Sequence, residues 1–151
     1  MNTPDNGLQR VLAAPQDDLE TVWKRLLTAI GSAKIPVFSI VDHKQNAAEA
    51  GLDMTGARVI TFGNPAVGTA LMLEAPEAAL DLPLRILAVK TPQGVCLLWN
   101  DPVWIASRHG IVKNADVAQK MQKLMERLAS EAARHQVGAG GQEKIALAGT
   151  P

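Results

Sequence analysis

Two apolar segments, residues 83–90 (PLRILAVK) and 95–100 (VCLLWN), flank the tetrapeptide Thr91-Pro92-Gln93-Gly94. Proline in second place and glycine in fourth suit a type I turn. The segments therefore read as an antiparallel hairpin, and any fold for this chain has to contain it. Residues 8–13 (LQRVLA), 37–42 (VFSIVD) and 57–63 (ARVITFG) read as three further strands. Ile35-Pro36 keeps the approach to the second of these extended.

Two long helices are predicted from spacing. In residues 17–32, Leu19, Val22, Trp23, Leu26 and Ile30 share one stripe. Asp17 followed by Glu20 reads as a capping box, and Gly31 as the stop. In residues 114–136, Val117, Met121, Leu124 and Leu128 form the buried stripe, with Asn114 as the cap. Shorter helices fit residues 43–51, the stretch opened by Asn64 and Pro65, and the stretch opened by Pro102. The order is β-α-β-β-β-β-α with short helical insertions. That predicts an α+β domain with a mostly antiparallel five-stranded sheet and two long helices on one face. The domain spans residues 8–136, after an N-terminal extension at 1–7 and before a Gly/Ala-rich tail at 137–151.

Composition sets several chemistries aside. A chain of 151 residues buries roughly 70% of its unfolded surface and builds a core without metal or disulfide. Fifteen basic and fifteen acidic residues cancel, so no whole-chain footprint for nucleic acid exists. Three Trp and two Phe give little stacking surface for single strands. Cys96 is the only cysteine, which suits a reducing compartment. Asp5 and Arg10 interrupt any signal-peptide pattern, and no apolar run reaches the roughly 18 residues of a membrane span. The expectation is a soluble, cytoplasmic protein with no membrane or nucleic-acid partner.

No metal set is visible: His43, His109 and His135 lack H-x-x-x-H spacing and cysteine pairs are absent. Ser39, Ser107 and Ser130 have no G-x-S-x-G setting. "FGNPAVGT" lacks the Walker lysine and the G-x-G-x-x-G spacing. No cofactor is expected.

Chain reversal nominates a site instead. If the last four strands form a meander, the ends of the third and fifth strands meet the start of the fourth. Asn64, Asp81 and Asn100 then share one border, with Arg108 and His109 one short helix away. Asp42 and His43 fall at the opposite border. Arg108-His109-Gly110 has two readings: cations in a last helical turn followed by a left-handed glycine cap, or a His109 acid, base or ligand donor. "FGNPAVGT" is a capped turn, or an anion pocket built on helix-start amides. Asp42-His43 is a strand-ending pair, or a dyad in which the carboxylate orients the ring. Asp81 bonds nearby backbone ahead of its X-Pro turn, or serves the shared rim. Cys96 reads as a buried, inert thiol.

The motifs "DH" at 42–43, "FGNPAVGTALM" at 62–72, "ALDLPLRIL" at 79–87, "WNDP" at 99–102 and "RHG" at 108–110 occur in this order. Over about residues 8–111 the chain resembles the domain-of-unknown-function 302 family. The resemblance implies an α+β domain with a TATA-binding-protein-like layout and a homodimer. It brings no agreed activity. The expected function is a homodimeric small-ligand-binding or interaction module whose polar rim of Asn64, Asp81, Asn100, Arg108 and His109 takes a small anionic or polar ligand. The alternative is an enzyme in which His109 or His43 moves a proton while helix-start amides stabilise negative charge.

Overall fold

The structure, a computed structural model, describes residues 5–134. The tail at 137–151 lies outside the described residues. Five strands, β1 (Leu8–Leu12), β2 (Val37–Asp42), β3 (Ala57–Phe62), β4 (Leu84–Thr91) and β5 (Gly94–Asn100), form one sheet in the order β1-β5-β4-β3-β2. Every pairing is antiparallel. β2 to β5 form the meander, and β1 adds on the outer side of β5. The hairpin turns at Pro92-Gln93, where the Thr91 hydroxyl donates to the Gly94 carbonyl at 2.8 Å.

Alternation sorts the strands into two faces. Ile60, Ile86 and Leu97 are fully buried on one of them. There α1 (Leu19–Ser32) and α5 (Ala115–Ala133) pack on the sheet and on each other. α1 presents Val22, Trp23, Leu26, Ala29 and Ile30. The stripe of α5 is rotated from the expected one. Met121 and Leu128 belong to it, whereas Val117 and Leu124 lie on its flank, and Met125 with Ala118, Ala129 and Ala132 completes it. Small residues at the contact let two helices approach closely. On the opposite face Val59, Leu87 and Leu98 adjoin across β3, β4 and β5 and stay half-buried.

Four shorter elements close the ends: α2 (His43–Glu49), α3 (Pro65–Glu74), a 3-10 turn (Pro76–Asp81) and α4 (Pro102–Arg108). The caps differ from expectation in three places. α1 is capped by Asp18, which accepts from the Thr21 amide at 2.8 Å. Asp17 instead pairs with Arg25 at 2.7 Å, and Glu20 pairs with Arg58. α1 runs through Gly31, and Lys34 takes the left-handed position at φ 57°. The backbone bonds Lys34 N–H to Gly31 O and Ile35 N–H to Ile30 O fix it there.

The third difference matters most. Asn114 makes no side-chain cap for α5. The Glu74 carboxylate, at the end of α3, accepts from the amides of Val112, Lys113 and Asn114 at 2.7, 2.9 and 2.9 Å. The Asn114 side-chain amide adds a fourth bond to it at 2.9 Å. These bonds, led by those from the Val112 and Lys113 amides, hold the Glu74 carboxyl at about 2, against an ordinary 4.5.

Two predictions follow from this packing. Leu128→Ala, at a fully buried site, should cost about 2–5 kcal/mol of unfolding free energy in urea titrations. Glu74→Gln should lower the melting temperature at neutral pH. Because the folded-state value is depressed, the Glu74 contribution is complete above pH 4.5 and lost as pH falls towards 2. Melting curves of the wild type and the variant should therefore converge across that window.

Candidate functional site

Among the described residues, the predicted rim is brought together only in part. α4 and the 3-10 turn meet, and Asp81 joins them. Arg108 Nη1 donates to both Asp81 oxygens at 3.2 and 3.0 Å. His109 Nε2 lies 2.7 Å from Asp81 Oδ2. The His109 and Asp81 side chains are only 7% and 11% exposed, so neither presents a broad surface to solvent. The Arg108 guanidinium also sits 5.8 Å from the Trp104 ring centre.

Local backbone chemistry explains the position of His109. α4 ends in a Schellman motif: Gly110 adopts φ 67°, its N–H bonds Ser107 O, and the Ile111 N–H bonds Ala106 O. Ile111 is buried and anchors the exit. His109 is the cap residue of this turn, and its ring is held by the carboxylate of the facing 3-10 turn.

Asn64 and Asn100 do not join the cluster. Asn64 Oδ1 accepts from the Ala66 amide at 3.0 Å and caps α3. Asn100 alternates with the buried Trp99, so it lies on the opposite sheet face, beside Leu8 of β1. The shared rim is thus corrected to a triad of Asp81, Arg108 and His109. The physical reason is the strand period: Asn100 is one residue past a core position.

The amides that could hold an anion at "FGNPAVGT" are engaged. Pro65 has no N–H, Ala66 is capped, and Val67 and Gly68 both donate to Asn64 O. The start of α4 repeats the arrangement, with Pro102 first and Asp101 accepting from Val103 at 2.7 Å. At the opposite border Asp42 accepts from Gln45 at 3.0 Å and lies 3.6 Å from Arg58 Nε. His43 opens α2 and is exposed. Asp42 therefore caps a helix and faces an arginine. Cys96 is buried, and burial raises its thiol pKa. No metal-holding group of three or more His, Cys, Asp or Glu occurs among the described residues.

A cleft that the sequence reading missed lies beside Asn64. It has a volume of about 340 Å³. Phe62 and Leu84, paired across β3 and β4, form its floor. Val67 and Met72 of α3 face Met121 and Leu124 of α5, and Leu82-Pro83 closes one end. Phe38 reaches it from β2, where the register shifts between Val37 and Ser39 opposite β3. A bulge of this kind re-aims a side chain. Among the described residues, Asn64 and Thr69 are the only polar side chains in the lining. The signal for the cleft was the apolar excess of "PAVGTALML", which exceeds what one helix face buries: Leu71 alone is buried on α3.

A scan against protein-family models matches residues 12–128 to the domain of unknown function DUF302. The chain belongs to the DUF302 family. The match runs beyond residue 111, so α5 is part of the family domain. A crystal structure of an uncharacterized conserved DUF302 protein from Bacillus stearothermophilus has the same fold, with a TM-score of 0.74 at 13% identity. It covers 85% of this chain and 99% of that one. Curated relatives from Brucella suis and Brucella abortus, each named fluoride-specific ion channel FluC 1, are 43% identical over 117 residues. These cover 77% of this chain but only 45% and 43% of the relatives, so the chain spans under half their length. No helix among the described residues is long and apolar enough to cross a membrane.

The triad can be tested for a structural role. Asp81→Ala leaves the nearly buried His109 ring and the Arg108 guanidinium without their acceptor. The expected loss is about 1–3 kcal/mol in denaturant titrations, with the secondary structure of the refolded protein unchanged.

Proposed function

We propose that this domain binds a small molecule in the cleft between α3 and α5, and that it does so as a homodimer in the cytoplasm. The observation that carries the reading is the cleft itself: about 340 Å³, walled by side chains from five elements. Ligand sites are concave, mostly apolar and fitted with few polar groups. Cavities in domain cores are normally filled, since an empty one costs stability.

The homodimer reading is supported by β2. Among the described residues it is an edge strand, with no strand beside its outer backbone groups. Val37, Phe38, Ile40 and Val41 are 47, 52, 50 and 37% exposed. Isolated edges are usually protected by charge, proline or a cover, and residues 37–41 carry no charge. A second copy across a two-fold axis closes the pairing, because the strand is its own partner.

The enzyme reading has one favourable contact, the 2.7 Å approach of His109 to Asp81. It is weaker because Arg108 shares that carboxylate and the helix-start amides are engaged. The relatives' name brings a further reading, a domain that works beside an ion channel. The 43% identity supports it. The coverage of under half the relatives' length leaves the named activity without a counterpart in this fold.

Gly68 provides the test. It lines the cleft, and a Cβ there would meet only Met72 Cε, at 3.9 Å. Gly68→Leu should therefore enter the helix without a clash at its Cβ, project into the cleft and gain about 0.5–1 kcal/mol in helix propensity. In a thermal-shift experiment with 1-octanol, the wild type should melt higher as ligand is added. The variant should melt at or above the wild type without ligand and show no shift. Equal shifts in both would remove the cleft as the site. Light scattering on the 16.1 kDa chain should give a doubled mass, and Ile40→Lys the single one. A wild-type monomer would end the homodimer reading.

A further inference from the structure

The cleft also has a chemical preference, and this inference rests on its being the ligand site. Among the described residues no charged side chain lines it. The nearby carboxylates are committed elsewhere: Asp81 to Arg108 and His109, Glu74 to the amides ahead of α5. Of the two polar side chains in the lining, Thr69 donates its hydroxyl to Pro65 O at 2.6 Å. Asn64 accepts the Ala66 amide through Oδ1 at 3.0 Å. That cap occupies Oδ1, so Nδ2 is the remaining polar atom of the Asn64 side chain, which is exposed at the edge of the cleft. Among the described residues Nδ2 has no protein partner.

We infer that the cleft takes a neutral amphipathic molecule, with an apolar body in the cleft and a hydroxyl or carbonyl oxygen accepting from Asn64 Nδ2. The volume sets the body. A cavity of about 150 Å³ holds one benzene ring, and this one, at about 340 Å³, has room for an eight-carbon chain. The charge follows from desolvation. A carboxylate or phosphate head seated against these walls meets one neutral donor and no cation, and a partly desolvated ion without a counter-charge is costly. An ammonium head meets a donor where it needs an acceptor, since the Asn64 carbonyl already receives Val67 and Gly68. Met72 and Met121 in the walls adapt to bodies of different shape.

The experiment is a calorimetric titration of the full chain at pH 7 with 1-octanol, octanoate and octylamine, which differ only in the head group. 1-Octanol should bind at least about tenfold more tightly than either ion, a difference near 1.4 kcal/mol. Asn64→Asp keeps an oxygen to cap α3, and aspartate is as good a cap as asparagine. It replaces the Nδ2 donor with an anionic oxygen, so it should weaken 1-octanol and make octylamine the preferred ligand. Asn64→Ser keeps a capping hydroxyl without the amide donor and should weaken 1-octanol with no gain for the amine. Octanoate binding as tightly as 1-octanol to the wild type overturns the neutral head. Unchanged 1-octanol affinity in both Asn64 variants overturns the assignment of Asn64. Binding of none of the three probes overturns the ligand-site reading together with this inference, whereas the first two results leave the cleft standing as a site.

Discussion

The Glu74 carboxylate ties the two walls of the cleft together. It sits at the last turn of α3 and takes four N–H bonds from residues 112–114, which lead into α5. The Asn114 side chain also donates to Ala70 O, one turn back along α3. A negative group at the start of a helix is favoured by the helix dipole and by the unpaired amides there. Here the charge is supplied by a different helix and holds the residues that lead into α5, so fixing that approach and docking α3 are one event. Met121 and Leu124 follow the cap by two turns and less than three, and they face Val67 and Met72 across the opening. If the carboxylate let go, three amides would lose their acceptor and the walls could drift.

The same economy governs other polar side chains at the ends of the sheet. Asp18, Asp42, Asn64 and Asp101 each accept from an amide two or three residues on. Asp81 serves a facing helix end rather than its own. Among the described residues no polar or charged residue is fully buried, so the core is apolar and the polar groups are fasteners at its rim. Two side-chain atoms depart from this. Trp99 Nε1 and Gln122 Oε1 are buried without a partner among the described residues, and indole N–H groups usually find one.

How much of this was legible in the sequence follows from the range of each interaction. The hairpin at Thr91–Gly94 and the strands on either side of it depend on neighbours, and they appear where spacing and turn chemistry put them. The convergence of Asp81 with Arg108 and His109 was also legible, because an antiparallel order dictates which strand ends meet. The anchoring of the approach to α5 was not. Asn114 is a good local cap for the first turn of α5, and only the fold brings Glu74, forty residues earlier, to the amides of residues 112–114. The α5 stripe was misplaced for a related reason. Alanine carries a weak hydrophobic signal, yet Ala118, Ala129 and Ala132 are buried in the core where α5 packs on its neighbours. Asn100 was misassigned by one step of the strand period, which exchanges the two faces of a sheet.

The cleft was not legible in the sequence because its lining is apolar. Asp, Asn, Arg and His stand out in a sequence, but they are also the residues that helix ends and turns need most. In this fold those needs absorb the conspicuous polar groups, down to the shared carboxylate under His109. What stays unfulfilled is apolar. α3 is apolar around most of its circumference yet buries one residue. β2 is apolar on both faces and half-exposed throughout most of its length. Phe38 belongs to both, as a strand-edge residue and a lining residue. Exposed apolar surface on two adjacent elements is costly to leave in water. Among the described residues, the strip from β2 into the cleft is therefore contiguous apolar surface left partly in water, which under the proposed function a ligand and a second subunit would cover from the two sides of Phe38.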